Sequence, residues 1–250
     1  MSYLIVANWK MNKTNIESLG LINDIKHSIG KCTNVNIVLC PPFTSLMTAH
    51  NALEDSKISL GSQNIHFESE GAFTGEISAG MISPFCKYVI IGHSERRILF
   101  NETNSIVNMK IRKAIEYKLT PIICIGENIN QRNDGGFVSV IQSMLESSLV
   151  DIDNYENIVI AYEPLWAIGT DLAATPQEAE EACYIIRKTL SRIFDNGENS
   201  SNIPILYGGS VNTGNIRSFL EQDNINGALI GGASLNSNQF ISIVQIANDL

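Results

Sequence analysis

The chain has 250 residues, 44% of them hydrophobic, and its 17 Lys and Arg against 26 Asp and Glu leave a net charge of −9. That length suits one large α/β domain or two small ones, and an acidic balance without a basic cluster argues against a nucleic-acid partner. No apolar run approaches the roughly 20 residues of a membrane span, no secretory leader is visible, and the five cysteines include no C-x-x-C pair. A soluble, cytoplasmic protein without disulfides or a thiolate metal site is the expectation.

Short apolar runs recur along the chain. Residues 3–7 form the first, followed by Thr14-Asn15-Ile16-Glu17, a capping box that predicts a helix start, with Gly30 as its stop. Runs at 35–39, 58–60, 88–91 and 121–125 predict strands two to five, separated by segments of mixed polarity with helical spacing. The sixth, at 158–161, ends in Glu163 and Pro164. Thr175-Pro176-Gln177-Glu178 then combines a cap, a first-turn proline and a reciprocal glutamate. Runs at 204–206 and 227–230 complete about eight strands. No Ser/Gly/Pro-rich linker divides the chain, so 1–250 reads as an α/β protein built as one (β/α)8 barrel domain. No G-x-G-x-x-G or G-x-x-x-x-G-K-[ST] occurs, which disfavours nicotinamide cofactors and P-loop nucleotides.

In such a barrel the functional face lies at the carboxyl ends of the strands. Asn8 and Lys10 follow the first, Gln63 and Asn64 the third, His93 the fourth and Glu163 the sixth. Diglycines follow the seventh and eighth, in YGGS (207–210) and IGGAS (230–234). Each has a bland reading when taken singly: a solvated lysine, a satisfied structural histidine, a strand-end carboxylate in water, a tight turn. Strands one, four and six of one barrel point into one mouth, however, and side-chain-free amides after strands seven and eight suit a phosphate. A cation, a base and a histidine beside a phosphate site suggest proton chemistry on a small phosphorylated compound. His27, His50 and His66 are scattered without metal-ligand spacing, so no metal is expected.

The motifs ANWKMN (7–12), QN (63–64), GAFTGEIS (71–78), GHSERR (92–97), CIGE (124–127), AYEPLWAIGT (161–170), YGGSV (207–211) and IGGASL (230–235) resemble, in content and order, those of the triosephosphate isomerase family. The resemblance spans essentially the whole chain. It implies a TIM barrel that interconverts dihydroxyacetone phosphate and glyceraldehyde 3-phosphate through an enediolate, with no added cofactor. Glu163 would then carry the proton between neighbouring carbons, and a neutral His93 would polarise the carbonyl. Lys10 would supply positive charge, Asn8 a further donor, and Glu95 would position Lys10. The amides of Gly169, Ser210, Gly231 and Gly232 would hold the phosphate.

The resemblance also implies a closing lid. Pro164, Leu165 and Trp166 would be its first hinge, residues 167–170, including Ile168 and Thr170, its tip, and residues 172–174 its second hinge. The 71–78 loop would enter a second subunit, placing Thr74 near that subunit's Lys10 and His93, so a homodimer is implied. Arg97 would brace this interface by pairing with an acidic residue, and Cys124 would be a packed thiol. Asp171 departs from the family's usual glycine at the lid tip; it is expected to face water, with at most about a tenfold effect on kcat/KM. Two rival readings are a barrel acting on a larger sugar phosphate and a phosphate-binding barrel with a non-catalytic role. A lid suited to a three-carbon substrate argues against the first, and the presence of Lys10, His93 and Glu163 argues against the second.

Overall fold

The computed structural model describes residues 2–29, 32–153, 155, 157–167, 174–194 and 198–250, with 198 and 199 in backbone only. Eight strands, β1 Tyr3–Asn8, β2 Val35–Cys40, β3 Ser59–Ser62, β4 Tyr88–Ile91, β5 Thr120–Ile125, β6 Val159–Tyr162, β7 Ile205–Tyr207 and β8 Gly227–Ile230, close into a barrel in chain order. All neighbours are parallel, and the ring shuts where β8 pairs with β1. Closure demands a glycine at 227. A Cβ built there would lie 1.9 Å from the Leu4 carbonyl oxygen, so any side chain would force the two strands apart.

Both faces of the sheet are buried, which is why the strands read as continuous apolar runs. Leu4, Val6, Val38, Ile90, Ile122, Val159, Leu206 and Leu229 fill the barrel interior as one cluster. Their alternates, among them Ile5, Leu39, Val89, Ile123 and Ile160, belong to the larger layer between sheet and helices. Fully burying one such Ile, Leu or Val contributes about 1.5–3 kcal/mol, so this double layer dominates stability.

Helices follow the strands: α1 Asn15–Ile29, α2 Leu46–Ala52, α3 Ala79–Ile82, α4 Ser94–Leu99, α5 Asn104–Glu116, α6 Ile129–Asn133, α7 Phe137–Ser148, α8 Pro176–Ile193, α9 Ile216–Leu220 and α10 Ser237–Asn248. α8 starts at the expected box, with Thr175 and Glu178 bonded reciprocally. It buries Ala179, Ala182, Cys183, Ile186 and Leu190 at helical spacing. The Thr14 box likewise opens α1, while Gly30, expected as its stop, lies outside the described residues. Among the described residues no helix is long and apolar enough to cross a membrane.

The strands differ from expectation mainly by a shift towards the carboxyl end. Pro204 has no N–H to donate, so β7 begins at Ile205, and it runs on through Tyr207, a fully buried aromatic. β6 likewise extends through the buried Tyr162. Asn8, expected beyond the first strand, is its last residue and pairs with Cys40.

Candidate active site

Strand periodicity sets the inner wall. Leu4 and Val6 face the barrel interior, and two-residue steps continue to Asn8; Val159 and Ala161 lead in the same way to Glu163. β4 breaks this rule. After Ile90 the chain reaches Gly92 at φ 69°, a left-handed turn that resets the alternation and delivers His93, the N-cap residue of α4. Asn8, Lys10, His93, Glu163, Gly208, Ser210, Gly231 and Gly232 thereby surround one cavity of about 290 Å³ at the carboxyl ends of the strands.

Glu163 is 2% exposed and fully engaged. Its Oε1 lies 3.0 Å from His93 Nε2, and its Oε2 accepts the Ser94 amide at 2.8 Å. Burial raises the carboxyl pKa, but the charge and hydrogen bond of His93 and the bonds from Ser94 outweigh it and hold Glu163 below the usual carboxylate value. For His93, burial disfavours the imidazolium while the Glu163 and Glu95 carboxylates favour it more strongly, so the net direction is upward. The Glu95 amide works the other way: it donates to Nδ1 at 3.2 Å, a bond that only an unprotonated nitrogen accepts. The proton of the neutral ring therefore sits on Nε2, facing Glu163 and the cavity.

Lys10 lines the same cavity, with its backbone at φ 53°. For a residue with a side chain this left-handed conformation costs roughly 1–2 kcal/mol. Its ammonium meets Glu95 Oε1 at 2.6 Å, and its N–H donates to Asn8 Oδ1 at 3.0 Å. Gly231 stands beside it, since a Cβ there would be 3.8 Å from Lys10 Nζ. A short 3-10 turn begins at Gly232, and Ser210 donates its hydroxyl to the Ala167 carbonyl at 2.8 Å, tying the β7 loop to the segment after Glu163. The cavity thus sets a carboxylate and an imidazole N–H against a cation and a wall of nearly side-chain-free backbone. That arrangement suits moving a proton beside a carbonyl while an anion is held.

Against this geometry, the triosephosphate isomerase family profile matches residues 3–247. This chain belongs to the triosephosphate isomerase family. Its similarity to the triosephosphate isomerase of Dictyoglomus turgidum is 48% identity over 97% of this chain and 98% of that one. With the triosephosphate isomerase of Carboxydothermus hydrogenoformans it is 44%, over 96% and 97%. The crystal structure of triosephosphate isomerase from Bartonella henselae superposes with a TM-score of 0.90 at 37% identity, covering 98% of this chain and 99% of that chain.

The other expected members of the site do not line this cavity among the described residues, or lie outside them. Gly169, Ile168 and Thr170, with Asp171 and residues 172–173, lie outside the described residues. Pro164 and Trp166 form a stem after β6, in which Leu165–Ala167 is a 3-10 turn. Glu95 flanks the cavity through Lys10. Thr74 is exposed on the 71–75 loop, away from its own chain's cavity. Within this chain the Arg97 guanidinium donates to the carbonyls of Gly92 and Cys124 and to Asn104 Oδ1. Asn64 turns away to accept from the buried Lys110 at 2.7 Å. Burial, the first cause, and the Glu163 charge push the Cys124 thiol well up, consistent with a packed, protonated sulfur.

The sequence reading missed Glu127, which is fully buried and accepts from Tyr162 Oη at 2.9 Å and Trp166 Nε1 at 3.1 Å. Its carbonyl also takes the Leu165 amide, so it fastens this stem to the end of β5. Its signal was present: a carboxylate two residues past the apolar run 121–125, as Glu163 stands two residues past the run 158–161.

Proposed function

We propose that this chain interconverts dihydroxyacetone phosphate and D-glyceraldehyde 3-phosphate by proton transfer through an enediolate. Glu163 takes the proton from the carbon beside the carbonyl and returns it to the neighbouring carbon. His93 donates from Nε2 to the substrate oxygens, and Lys10 and Asn8 stabilise the negative charge developing there. Glu95 holds Lys10 in place. The backbone of Ser210, Gly231, Gly232 and Gly169 receives the phosphate, and the lid carrying Pro164, Trp166, Ile168 and Thr170 closes over it to keep water from the intermediate. The observation that carries this reading is the 3.0 Å contact between the Glu163 carboxylate and His93 Nε2 in a cavity that Lys10 and two diglycine loops also line.

Before reaction Glu163 must leave Ser94 and His93 for the substrate. It then loses the partners that lower its pKa while burial still raises it, so it becomes a stronger base on engagement. The test is a coupled assay of purified wild-type chain and Glu163→Asp, which draws the carboxylate back by one methylene. Loss of about 10²-fold or more in kcat supports a rigidly placed base. A folded wild-type chain with no turnover overturns the assignment.

The same reading makes the chain a cytoplasmic homodimer. The exposed apolar side chains Met11, Ile16, Met47, Phe73, Met81, Ile98, Leu99 and Phe100, with Met11 96% exposed, support a partner covering the first four strand-end loops. Thr74 lies in the segment after β3 and Arg97 on α4, after β4. The five free thiols suit a reducing compartment. Sedimentation velocity decides the assembly: a species of one chain at micromolar concentration rules out the dimer.

A further inference from the structure

Gln63 has no part in the proposed chemistry and does not line the cavity, yet it touches the loop that carries Lys10. A primary amide offers two donor hydrogens, and both are used here. Gln63 Nε2 donates to the Lys10 carbonyl at 2.9 Å and to the Cys40 carbonyl at 2.8 Å. The Cys40 carbonyl, at the end of β2, also accepts the Trp9 amide at 3.2 Å. One side chain just past β3 therefore ties the ends of β1, β2 and β3 together.

The tie meets the backbone where it is strained. Lys10 sits at φ 53°, a conformation that a residue with a side chain keeps only where its surroundings over-determine it. The determinants flank it: Asn8 Oδ1 accepts its N–H, and Gln63 donates to its carbonyl. Trp9, fully buried, anchors the preceding residue. From this fixed backbone the lysine side chain reaches Glu95 and stands beside Gly231.

We propose that Gln63 is a positioning residue, which by donating to the carbonyls of both Lys10 and Cys40 fixes the Lys10 backbone and so the place of its ammonium over the substrate anion. The proposal rests on the reading of Lys10 as the cation of triose phosphate isomerisation. Gln63 acts only through Lys10, so its effect must vanish when the ammonium is gone.

The test is a double-mutant cycle of Gln63→Met, Lys10→Met and both together, assayed for glyceraldehyde 3-phosphate isomerisation, with thermal midpoints measured alongside. Gln63→Met alone is expected to lower kcat/KM about tenfold or more, whereas in the Lys10→Met background it changes kcat/KM less than about twofold. Equal factors in the two backgrounds, or wild-type kcat/KM in Gln63→Met, overturn the proposal. Gln63→Glu keeps the test open if the methionine variant does not fold. Its protonated carboxyl retains one donor, and its ionised form has none and faces two carbonyls. The ratio of its kcat/KM to wild type therefore falls as pH rises; a reduced but flat ratio overturns the idea. An active wild type with unimpaired Lys10→Met removes the proposal but leaves the reaction standing, whereas no wild-type turnover overturns the reaction itself.

Discussion

The Glu163 carboxylate bridges two neighbours in sequence, His93 through Nε2 at 3.0 Å and Ser94 through its amide at 2.8 Å. Both contacts favour the ionised carboxylate, so the proposed base waits in its charged form although it is almost fully buried. This links the two residues' titrations, and the link is measurable in either direction.

For His93, burial lowers the pKa, and the Glu163 charge and hydrogen bond are the largest causes acting the other way. Glu163→Gln removes the charge and leaves burial. The imidazole of that variant is expected to titrate at lower pH than in wild type, followed by 15N shifts of the histidine ring. An unchanged or higher value would mean that Glu163 is not what raises the imidazole pKa.

For Glu163 the folded pKa lies below the ordinary glutamate value of 4.5, so its contribution to stability is present above 4.5 and is lost as pH falls through the folded value. Wild type should therefore lose ground to Glu163→Gln below about 4.5, where the carboxylate becomes protonated. Any change in the difference between pH 5 and 7 belongs to His93, whose raised pKa depends on the Glu163 charge. Urea midpoints of both proteins measured from pH 5 to 3 give the comparison, and a difference that stays constant across that window contradicts the downward shift.

Gly126 carries a steric prediction. A Cβ at this position would lie 1.7 Å from the Glu163 backbone oxygen and 2.5 Å from its carbonyl carbon. Backbone cannot swing aside as a side-chain tip does, so Gly126→Ala must move the end of β6. The expected result is a stability loss of more than about 4 kcal/mol, or a folded chain with kcat reduced about 10²-fold by displacement of the base. A stable variant with wild-type kcat would show that this contact relaxes freely.

These constraints divide into what a sequence can display and what it cannot. Buried-both-sides strands, the Thr14 and Thr175 boxes, and the parity that leads from Val159 through Ala161 to Glu163 depend on local pattern, so they were legible. His93 was placed at the right strand end, but its inward aim depends on Gly92 at φ 69°, which no residue pattern reveals. The Arg97 partners lie on two separate strand ends and a helix, and the Gln63 bridge joins three strands. Such contacts appear only after the barrel closes. The same holds for Glu127, whose donors come from β6 and the stem that follows it.

Lys110 and Glu102 form a pair that sequence reading did not anticipate. Each is only about 4% exposed in its side chain, and Lys110 Nζ also donates to Asn64 while Arg96 pairs with Glu102. Burial opposes both charges: it lowers the Lys110 pKa and would raise that of Glu102, were the Lys110 and Arg96 contacts not stronger. Removing one partner leaves the other charge buried and alone. Glu102→Leu is expected to cost about 3–5 kcal/mol, and adding Lys110→Met should restore much of the loss because it removes the stranded ammonium. Arg96 also stands over the Phe100 ring, 4.8 Å from its centroid, a contact that neither substitution removes. Urea denaturation at one fixed protein concentration separates the outcomes. A double variant no more stable than Glu102→Leu would mean that Lys110 stabilises the barrel through Asn64 and not through its charge partner.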